Sequence, residues 1–343
     1  MNESSKRAAV RVCVAGCGHW GKNLVRNFYQ LGHLASVFDV DMARAQALAA
    51  QFPGTRLHPS FESALADPEI QGMVIATPAE QHASMTIAAL HAGKDVFVEK
   101  PLALTAEDGA AMVTAARRNG RILMVGHLLI HHPAVQAIQR LLEAGELGRL
   151  EYIYSNRLSM GKIRREENAL WSFAPHDLSV ILALTGQMPI EVTAVGGAYL
   201  QPNIADVTVS NLLFERGTRA HIFVSWLHPY KEQRLVVIGS KKMVVFEDSR
   251  AADKLLLFHK DIAWKNGQFE AAQSKGVPIE FPDSEPLQLE CRHFIDCMLQ
   301  RSEPLTPGSD GVKVLRVLQA CQLSLSLNGK PVQSHALAVA ADF

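Results

Sequence analysis

The chain has 343 residues, of which 48% are hydrophobic and 20% are charged, and its formal net charge is zero. A length above roughly 250–300 residues predicts two domains, because single hydrophobic cores stop growing at about that size. The balanced charge argues against nucleic acid or an anionic membrane surface as a partner. No apolar stretch of the sequence approaches the roughly 20 residues of a membrane span, so we expect a globular protein.

The five cysteines are odd in number and lack the spacing of metal ligands, which indicates reduced thiols and a cytoplasmic protein. Three histidines, His127, His131 and His132, lie close together before a predicted helix. No cysteine or carboxylate joins them at ligand spacing, so we expect no metal site.

The chain begins with the pattern of a dinucleotide-binding turn. An apolar strand at Arg11–Ala15 leads into G-x-G-x-x-G at residues 16–21, and a helical stretch follows at Lys22–Leu31. A second apolar run, Leu34–Phe38, ends at Asp39. Strand, glycines, helix, strand and terminal acid in this order predict a Rossmann fold.

Each position of this turn has a predicted task. Gly16 permits the tight turn, Gly18 lets the backbone approach a pyrophosphate, and Gly21 lets the helix pack closely on the strand. The amides at the helix N-terminus face the phosphates. Asp39 is expected to accept hydrogen bonds from the ribose hydroxyls, which favours NAD because its charge would repel a 2′-phosphate.

The rest of the first third alternates apolar strands with helices. The strand-like runs are Met73–Ala76, Asp95–Val98 and Ile122–Val125, and the helical segments are Ala83–Ala92 and Thr105–Asn119. Continuous apolar strands of this kind predict a parallel sheet with helices on both faces. Ligands bind at the carboxyl ends of such strands, which draws attention to Thr77-Pro78 and to Glu99-Lys100-Pro101.

The pattern changes after about residue 125 and predicts an α+β domain with one large, mainly antiparallel open sheet. Its strand-like runs are Leu150–Leu158, Ile190–Leu200, Val207–Phe214, Ala220–Trp226, Arg234–Ile238 and Met243–Phe246, and its helices are Pro133–Ala144, Ala174–Leu184, Leu287–Leu299 and Asp310–Leu327. Polar segments at 248–253 and 266–276 predict surface turns or hairpin loops. We place the domains at residues 1–126 and 127–343, with the last helix able to pack back on the first domain.

Several of these segments resemble the glucose-fructose oxidoreductase and inositol dehydrogenase family, Gfo/Idh/MocA. The resemblance rests on Glu99-Lys100-Pro101 after a Rossmann strand, on Ala76-Thr77-Pro78 with His82, and on the late Asp310-Gly311 helix. It covers nearly the whole chain. It implies an NAD-dependent oxidoreductase whose C-terminal sheet packs against a second copy in a dimer or tetramer.

Oxidation of a secondary alcohol needs a base for the hydroxyl proton, and a cation stabilises the developing alkoxide. Lys100 is the candidate cation, and a partly desolvated lysine is also able to shuttle the proton. The resemblance implies that His176 is the general base. Many relatives carry an aspartate four residues earlier, where this chain has Ser172. We therefore expect Lys100 and His176 to be the minimal catalytic pair.

The resemblance also implies a set of cofactor contacts around the turn. These are Gly16, Gly18, His19, Trp20, Gly21, Asp39, Thr77, Pro78, His82, Glu99 and Lys100. Glu99 would bond the nicotinamide ribose or orient Lys100. Trp20 would flank the cofactor or pack as an aromatic, and His82 fits a helix cap equally well.

The stretch between Asn156 and Asp177 is similar to the nucleotide-sugar branch of the family. The candidate substrate-binding residues are Lys100, Arg157, Lys162, Arg164, Trp171, His176 and Asp177. Basic side chains suit a diphosphate, although this segment could equally serve an oligomer interface. Trp171 would flank the cofactor or pack as an aromatic, and Asp177 would contact substrate or cap a turn.

We therefore expect NAD-dependent oxidation of the C3 hydroxyl of a UDP-N-acetylhexosamine, for diamino-sugar, lipid A or surface polysaccharide synthesis, with an aminotransferase as the next enzyme. UDP-N-acetylglucosaminuronate and a free cyclitol or hexose are alternative substrates. A dinucleotide-binding sensor without turnover is the alternative of another class. A homo-oligomer, either dimer or tetramer, is expected because the exposed face of an open sheet needs a cover.

Overall fold

A computed structural model of the chain describes residues 10–161 and 163–333. Lys162, one of the candidate substrate-binding residues, lies outside the described residues. The strands are β1 Val12–Ala15, β2 Leu34–Phe38, β3 Arg56–Leu57, β4 Gly72–Ile75, β5 Asp95–Glu99, β6 Leu123–Gly126, β7 Leu150–Leu158, β8 Glu191–Gly197, β9 Val207–Leu213, β10 Arg219–Ser225, β11 Glu232–Gly239, β12 Lys242–Glu247, β13 Leu255–His259, β14 Asp261–Lys265, β15 Gln268–Ala272, β16 Val277–Pro278 and β17 Val332–Gln333. The helices are α1 Gly21–Gln30, α2 Met42–Ala49, α3 Phe61–Ala66, α4 His82–His91, α5 Ala106–Arg118, α6 Pro133–Glu143, α7 Ala169–Thr185, α8 Pro286–Gln300 and α9 Gly308–Ser326.

The chain divides into two compact units. The first comprises Met1–His131 and Ser284–Leu315, and the second comprises His132–Asp283 and Arg316–Phe343. The chain thus changes units after residue 131, where the sequence analysis placed a boundary after residue 126. Residues 284–315 belong to the first unit.

The first unit is built on a six-stranded sheet in the order β3-β2-β1-β4-β5-β6, with every pair parallel. This confirms the predicted Rossmann sheet. The short elements β3, α2 and α3 were not predicted from the sequence. Their helices start at local caps: the side chains of Asp41 and Ser60 accept hydrogen bonds from backbone amides of α2 and α3.

The core of this unit joins α1 and α8 to the central strands. The rings of Phe28 on α1, Phe97 on β5 and Phe294 on α8 meet edge to face, with centroids 5.8–6.5 Å apart. All three side chains are fully buried. Each aromatic contact of this geometry contributes about 0.5–1.5 kcal/mol beyond its buried area, so α8 is an integral part of the dinucleotide-binding unit.

The second unit contains a nine-stranded sheet in the order β16-β13-β12-β11-β7-β10-β9-β8-β17. The β7–β10 pair is parallel, whereas the other pairs are antiparallel. Helices α6 and α7 pack on this sheet. The predicted mainly antiparallel sheet is therefore confirmed.

Two local predictions for this unit differ from the structure. Helix α7 begins at Ala169, five residues before the predicted start, because the Asn168 side chain caps it through the amide of Trp171. Residues 268–272, predicted as turn or loop, form β15 and pair with β14. Asn266 and Gly267 both have positive φ, as a two-residue hairpin turn requires. The strands are exposed on both faces, so the alternation that identifies a half-buried strand is missing.

Within the described ranges 10–161 and 163–333, no helix combines the length and the apolar character that a bilayer crossing requires.

Candidate active site

The glycines of the turn after β1 have different surroundings. A Cβ atom on Gly16 would lie 2.5 Å from the Ala76 carbonyl oxygen, and φ of Gly16 is +99°. A Cβ on Gly21 would lie 1.8 Å from the Gly16 carbonyl oxygen. A Cβ on Gly18 would meet no described atom within 4 Å. Gly16 and Gly21 are thus required by the fold itself, whereas Gly18 leaves open space above the turn.

The N-terminus of α1 follows this open space. No side chain in the described part of the chain caps it, and its first turn contains no acidic residue. The amides of Lys22 and Asn23 donate to the carbonyl oxygens of Gly18 and Trp20 within the turn, and the positive end of the helix dipole lies at this turn. An anionic diphosphate fits this end of the helix.

Asp39 holds a carboxylate at the same turn. Its Oδ2 accepts a hydrogen bond from the amide of Cys17 at 2.7 Å, and its Oδ1 accepts one from the amide of Asp41 at 2.9 Å. The Arg44 guanidinium lies 3.5 Å from Oδ1. Sequence analysis missed Arg44 because it missed α2, whose first turn brings residue 44 back beside Asp39. The open space at Gly18, the uncapped helix and this fixed acid together fit a dinucleotide such as NAD.

The carboxyl end of β5 carries Glu99, whose side chain is buried. Its Oε1 accepts a hydrogen bond from the Trp20 indole at 2.5 Å, and its Oε2 accepts one from the Lys100 amide at 3.2 Å. Burial raises the pKa of Glu99 to about 7, opposed by the Trp20 hydrogen bond and by the charge of Lys100. Trp20 is thereby tied to the end of β5 and remains 39% exposed, so it belongs to the wall of the site rather than to the core.

Lys100 follows Glu99 and is half-buried, and its peptide bond to Pro101 is cis. Next to it, His82 joins two loops of the site. One ring nitrogen, Nδ1, lies 2.7 Å from the Pro101 carbonyl oxygen, and Nε2 lies 2.9 Å from that of Thr77. Burial lowers the pKa of His82, while the two carbonyls favour its protonated form. The structure thus places His82 as a bridge between the loops after β4 and β5.

The remaining candidates of the first unit lie on the surface of these loops. His19 and Pro78 are exposed and Thr77 is half-buried. All three follow the carboxyl ends of β1 and β4, where ligands bind in sheets of this kind. Their contacts with a cofactor stay predictions.

In the second unit, α7 carries His176. Its side chain is half-buried, and the buried Ser172 lies one turn earlier on the same helix face. Trp171 donates its indole hydrogen to Gln322 Oε1 at 3.2 Å. This hydrogen bond fixes the ring of Trp171, and the assignments of Trp171 and His176 to a ligand stay predictions.

Arg157 and Asp177, both predicted to bind substrate, bind each other. The Nε and Nη2 atoms of Arg157 each lie 3.0 Å from a carboxylate oxygen of Asp177, and Ser155 donates to the same carboxylate at 2.6 Å. The side chains are 13% and 2% exposed, respectively. This bidentate ion pair links α7 to β7.

Replacing Arg157 with methionine is expected to lower the free energy of unfolding by about 3–5 kcal/mol, because it leaves Asp177 as a buried, unpaired charge. Urea denaturation of the purified protein measures this. Arg149, which directly precedes the same strand, is the control: its side chain is 78% exposed, so Arg149→Met should change stability by less than about 0.5 kcal/mol. Equal losses in the two variants would contradict a structural role for the Arg157–Asp177 pair.

Arg164 and Arg165, the other described cations of this segment, are at the surface. The Nε atom of Arg164 lies 2.9 Å from Glu167, and its Nη1 lies 3.8 Å from Glu166. Arg165 is exposed. Two described cations were predicted to bind a diphosphate. Arg157 is instead paired with Asp177 inside the protein, and Arg164 lies in a surface ion-pair cluster.

Comparison with known proteins decides the family. Residues 10–127 match the family described as an oxidoreductase family with an NAD-binding Rossmann fold, and residues 135–245 match the GFO/IDH/MocA C-terminal domain. The chain belongs to the Gfo/Idh/MocA family. The family, the Rossmann fold and NAD as the cofactor, all predicted from the sequence, are thus confirmed.

Relatives within the family differ in substrate. The chain is 28% identical to a UDP-N-acetylglucosamine 3-dehydrogenase of Acidithiobacillus ferrooxidans, over 89% of this chain and 94% of that protein. A solved structure of this Acidithiobacillus enzyme superposes with a TM-score of 0.81 at 26% identity, covering 92% of this chain and 98% of the other. The chain is also 26% identical to a scyllo-inositol 2-dehydrogenase (NAD(+)) of Bacillus subtilis, over 94% of this chain and 96% of that protein. Membership of the family identifies an NAD-binding oxidoreductase, and relatives of comparable identity are named for different substrates, a nucleotide sugar and a cyclitol.

Proposed function

We propose that this protein oxidises the C3 hydroxyl of a UDP-N-acetylhexosamine, UDP-N-acetylglucosamine in the first instance, with NAD as the oxidant. The observation that carries the proposal is Lys100, half-buried beside the buried Glu99 in the same unit as the dinucleotide turn. A cation there is suited to a hydroxyl that becomes negatively charged. Similarity over nearly the full length to a UDP-N-acetylglucosamine 3-dehydrogenase supports this substrate.

The chain supplies proton transfer and electrostatics. The glycine turn at residues 16–21 would hold NAD, which would supply the acceptor for the hydride of the carbinol carbon. The Lys100 ammonium stabilises the alkoxide, and Glu99 keeps an anionic partner near that ammonium. We assign acceptance of the hydroxyl proton to an imidazole nitrogen of His176, because histidine is the side chain type that exchanges a proton near neutral pH. Ser172, in place of an aspartate, adds no charge to His176.

A cyclitol is the second candidate substrate. The commitment of Arg157 to Asp177 removes one of the cations expected to hold a diphosphate, and the similarity to a scyllo-inositol dehydrogenase spans 94% of the chain. UDP-N-acetylglucosaminuronate would need a further cation for its carboxylate, and the exposed Arg165 is available in the same segment.

We also propose that the protein assembles as a homo-oligomer and that an aminotransferase consumes its 3-oxo product. Support for assembly comes from half-buried aromatic residues on the large sheet. Tyr154 and His221 stack on neighbouring strands with ring centroids 5.2 Å apart, and Phe223 is half-buried beside them. Aromatic side chains of this kind are enriched at interfaces.

The test is NADH absorbance after purified protein is mixed with NAD and UDP-N-acetylglucosamine, with and without 2-oxoglutarate. UDP-N-acetylglucosaminuronate and myo-inositol run in parallel. The expected result is NADH formation with UDP-N-acetylglucosamine and with neither of the other two substrates. NADH formation with the cyclitol or the uronate instead would overturn the substrate, and absence of signal with all three, in a protein that binds NADH, would refute the proposed activity.

A further inference from the structure

Helix α8 buries a carboxyl group that the proposed activity does not use. Glu290 is 1% exposed, and across residues 10–161 and 163–333 neither of its carboxyl oxygens has a hydrogen-bond partner. Glu290 occupies one position of the apolar stripe formed by Leu287, Cys291 and Phe294. An unpartnered buried carboxyl group destabilises a fold, so its presence in this stripe calls for a function.

The packing of α8 places Glu290 opposite the end of β5. Phe97 and Glu99 lie two residues apart on β5 and therefore point to the same face of the sheet. Phe294 packs on Phe97 with ring centroids 5.8 Å apart. Glu290 precedes Phe294 by one helical turn and shares its helix face. The two carboxyl groups consequently face each other, and the charge of Glu99 together with burial raises the pKa of Glu290 well above its usual range.

The two carboxyl groups are unequally supported. Glu99 accepts hydrogen bonds from the Trp20 indole and the Lys100 amide and has the charge of Lys100 nearby. Glu290 has none of these. Two neighbouring carboxylates in apolar surroundings cannot both ionise at low cost, so the proton belongs on Glu290 and the charge on Glu99.

The space for this arrangement is provided by the neighbouring strand. A Cβ atom on Gly126, at the end of β6, would lie 3.0 Å from Glu99 Oε2. A larger residue there would press on the carboxylate that Trp20 and Lys100 hold.

We propose that Glu290 is a positioning residue of the dinucleotide site, which keeps its proton near neutral pH and so leaves the negative charge of the pair on Glu99, beside Trp20 and Lys100. When alkaline pH ionises Glu290, the second charge repels Glu99 and weakens the tie between the glycine turn and β5. This inference goes beyond the proposed function and does not depend on the identity of the sugar.

Ionisable groups on α8 and on the segments packed against it do not provide this titration. They include Arg26 on α1, His127 and His131 after β6, and Glu285, Cys291 and His293 on α8. Arg26 and Glu285 form an ion pair, and burial lowers the pKa of His127 to about 4 and that of His131 to about 3. Burial also lowers the pKa of His293 and raises that of Cys291. Near neutral pH the distribution of charge at this place therefore depends on the carboxyl groups of Glu99 and Glu290.

The experiment compares the full-length wild type with Glu290→Gln and Glu285→Gln. Gln is a neutral match for a protonated glutamate, and Glu285 on the same helix is the control because it is half-exposed and paired with Arg26. Infrared spectra recorded above the change near pH 7, so that Glu99 is ionised, should show the carbonyl band of a protonated carboxyl group in the wild type and in Glu285→Gln, and should lose it in Glu290→Gln. The dissociation constant of NADH is then measured by fluorescence between about pH 6 and about pH 10.

The NADH-binding profiles of the three proteins should share one change near pH 7, which comes from the ionisation of Glu99. They should differ above that pH. NADH binding by wild type and Glu285→Gln should weaken at least threefold toward alkaline pH, while Glu290→Gln keeps its affinity. Absence of the infrared band in the wild type would overturn the proposal. So would a downward shift of the change near pH 7 in Glu290→Gln, because that shift would mean that Glu290 had been charged and had repelled Glu99.

Stability provides a measurement that needs no cofactor. A folded-state pKa raised above the unfolded value of about 4.3 gives stability that is present below that pH and is lost as pH rises. The unfolding equilibrium constant of the wild type should therefore rise about tenfold per pH unit relative to Glu290→Gln until Glu290 ionises. Parallel pH profiles for the two proteins would refute a protonated Glu290.

Discussion

Replacing Lys100 with methionine is expected to lower kcat by about 10²–10⁴-fold, while NADH still binds. Methionine keeps much of the stem and removes the cation beside Glu99. One electrostatic donor to a developing oxyanion contributes about 10²–10³ in rate, and a group that also moves the proton contributes about 10²–10⁴. The assay is NADH formation with the preferred substrate, together with a fluorescence titration with NADH.

Arginine at the same position separates the two tasks of the lysine. Arginine retains the charge but does not give up its proton, so Lys100→Arg should recover part of the rate if the role is electrostatic, and none if proton transfer dominates. Lys313→Met is the matched control, because Lys313 is exposed on α9 and pairs with Asp310. A Lys100→Met variant with wild-type turnover would remove Lys100 from the catalytic residues.

The dinucleotide turn could be predicted residue by residue because its requirements are local. A backbone at φ +99° and contacts below van der Waals distance leave glycine as the residue that fits at Gly16 and Gly21. The placement of Glu99-Lys100 at a strand end followed in the same way from one continuous apolar run. Strand direction and turn geometry are encoded within about thirty residues of a βαβ unit, so one sequence suffices to locate them.

Interactions across the fold could not be predicted in this way. Arg157 and Asp177 are twenty residues apart and on different elements, and only the packing of α7 on β7 shows that they neutralise each other. Basic character in the sequence favours an anionic ligand as readily as an internal partner, which is why Arg157 was predicted to bind substrate. Asp177 was predicted to contact substrate or cap a turn.

Glu290 left a signal that the sequence analysis did not use. Leu287, Glu290, Cys291 and Phe294 follow the spacing of a buried helix face, and one of the four is an acid. A carboxyl group in such a stripe predicts an unusual environment. The facing group, Glu99, lies about 190 residues away in sequence. It could be identified only from the contact between Phe97 and Phe294.

The glycine turn gives the second large effect, because alanine at Gly18 and alanine at Gly21, three residues apart, should act in different ways. Gly21→Ala should lower the free energy of unfolding by about 3 kcal/mol, because its Cβ would lie 1.8 Å from the backbone oxygen of Gly16 and α1 would have to move away from β1. Gly18→Ala should change it by less than about 0.5 kcal/mol, because its Cβ would meet open space. Urea denaturation without cofactor measures both.

The two variants should also differ in how their NADH affinity relates to their stability. The open space at Gly18 is where the pyrophosphate approaches the backbone, so a methyl group there should weaken NADH binding at least tenfold, about 1.4 kcal/mol, in a protein of normal stability. In Gly21→Ala the loss of affinity should instead accompany the loss of stability. Unchanged NADH affinity in a folded Gly18→Ala variant would show that the dinucleotide does not pass over this turn, because the substitution alters the approach of the phosphates and nothing else in the described fold.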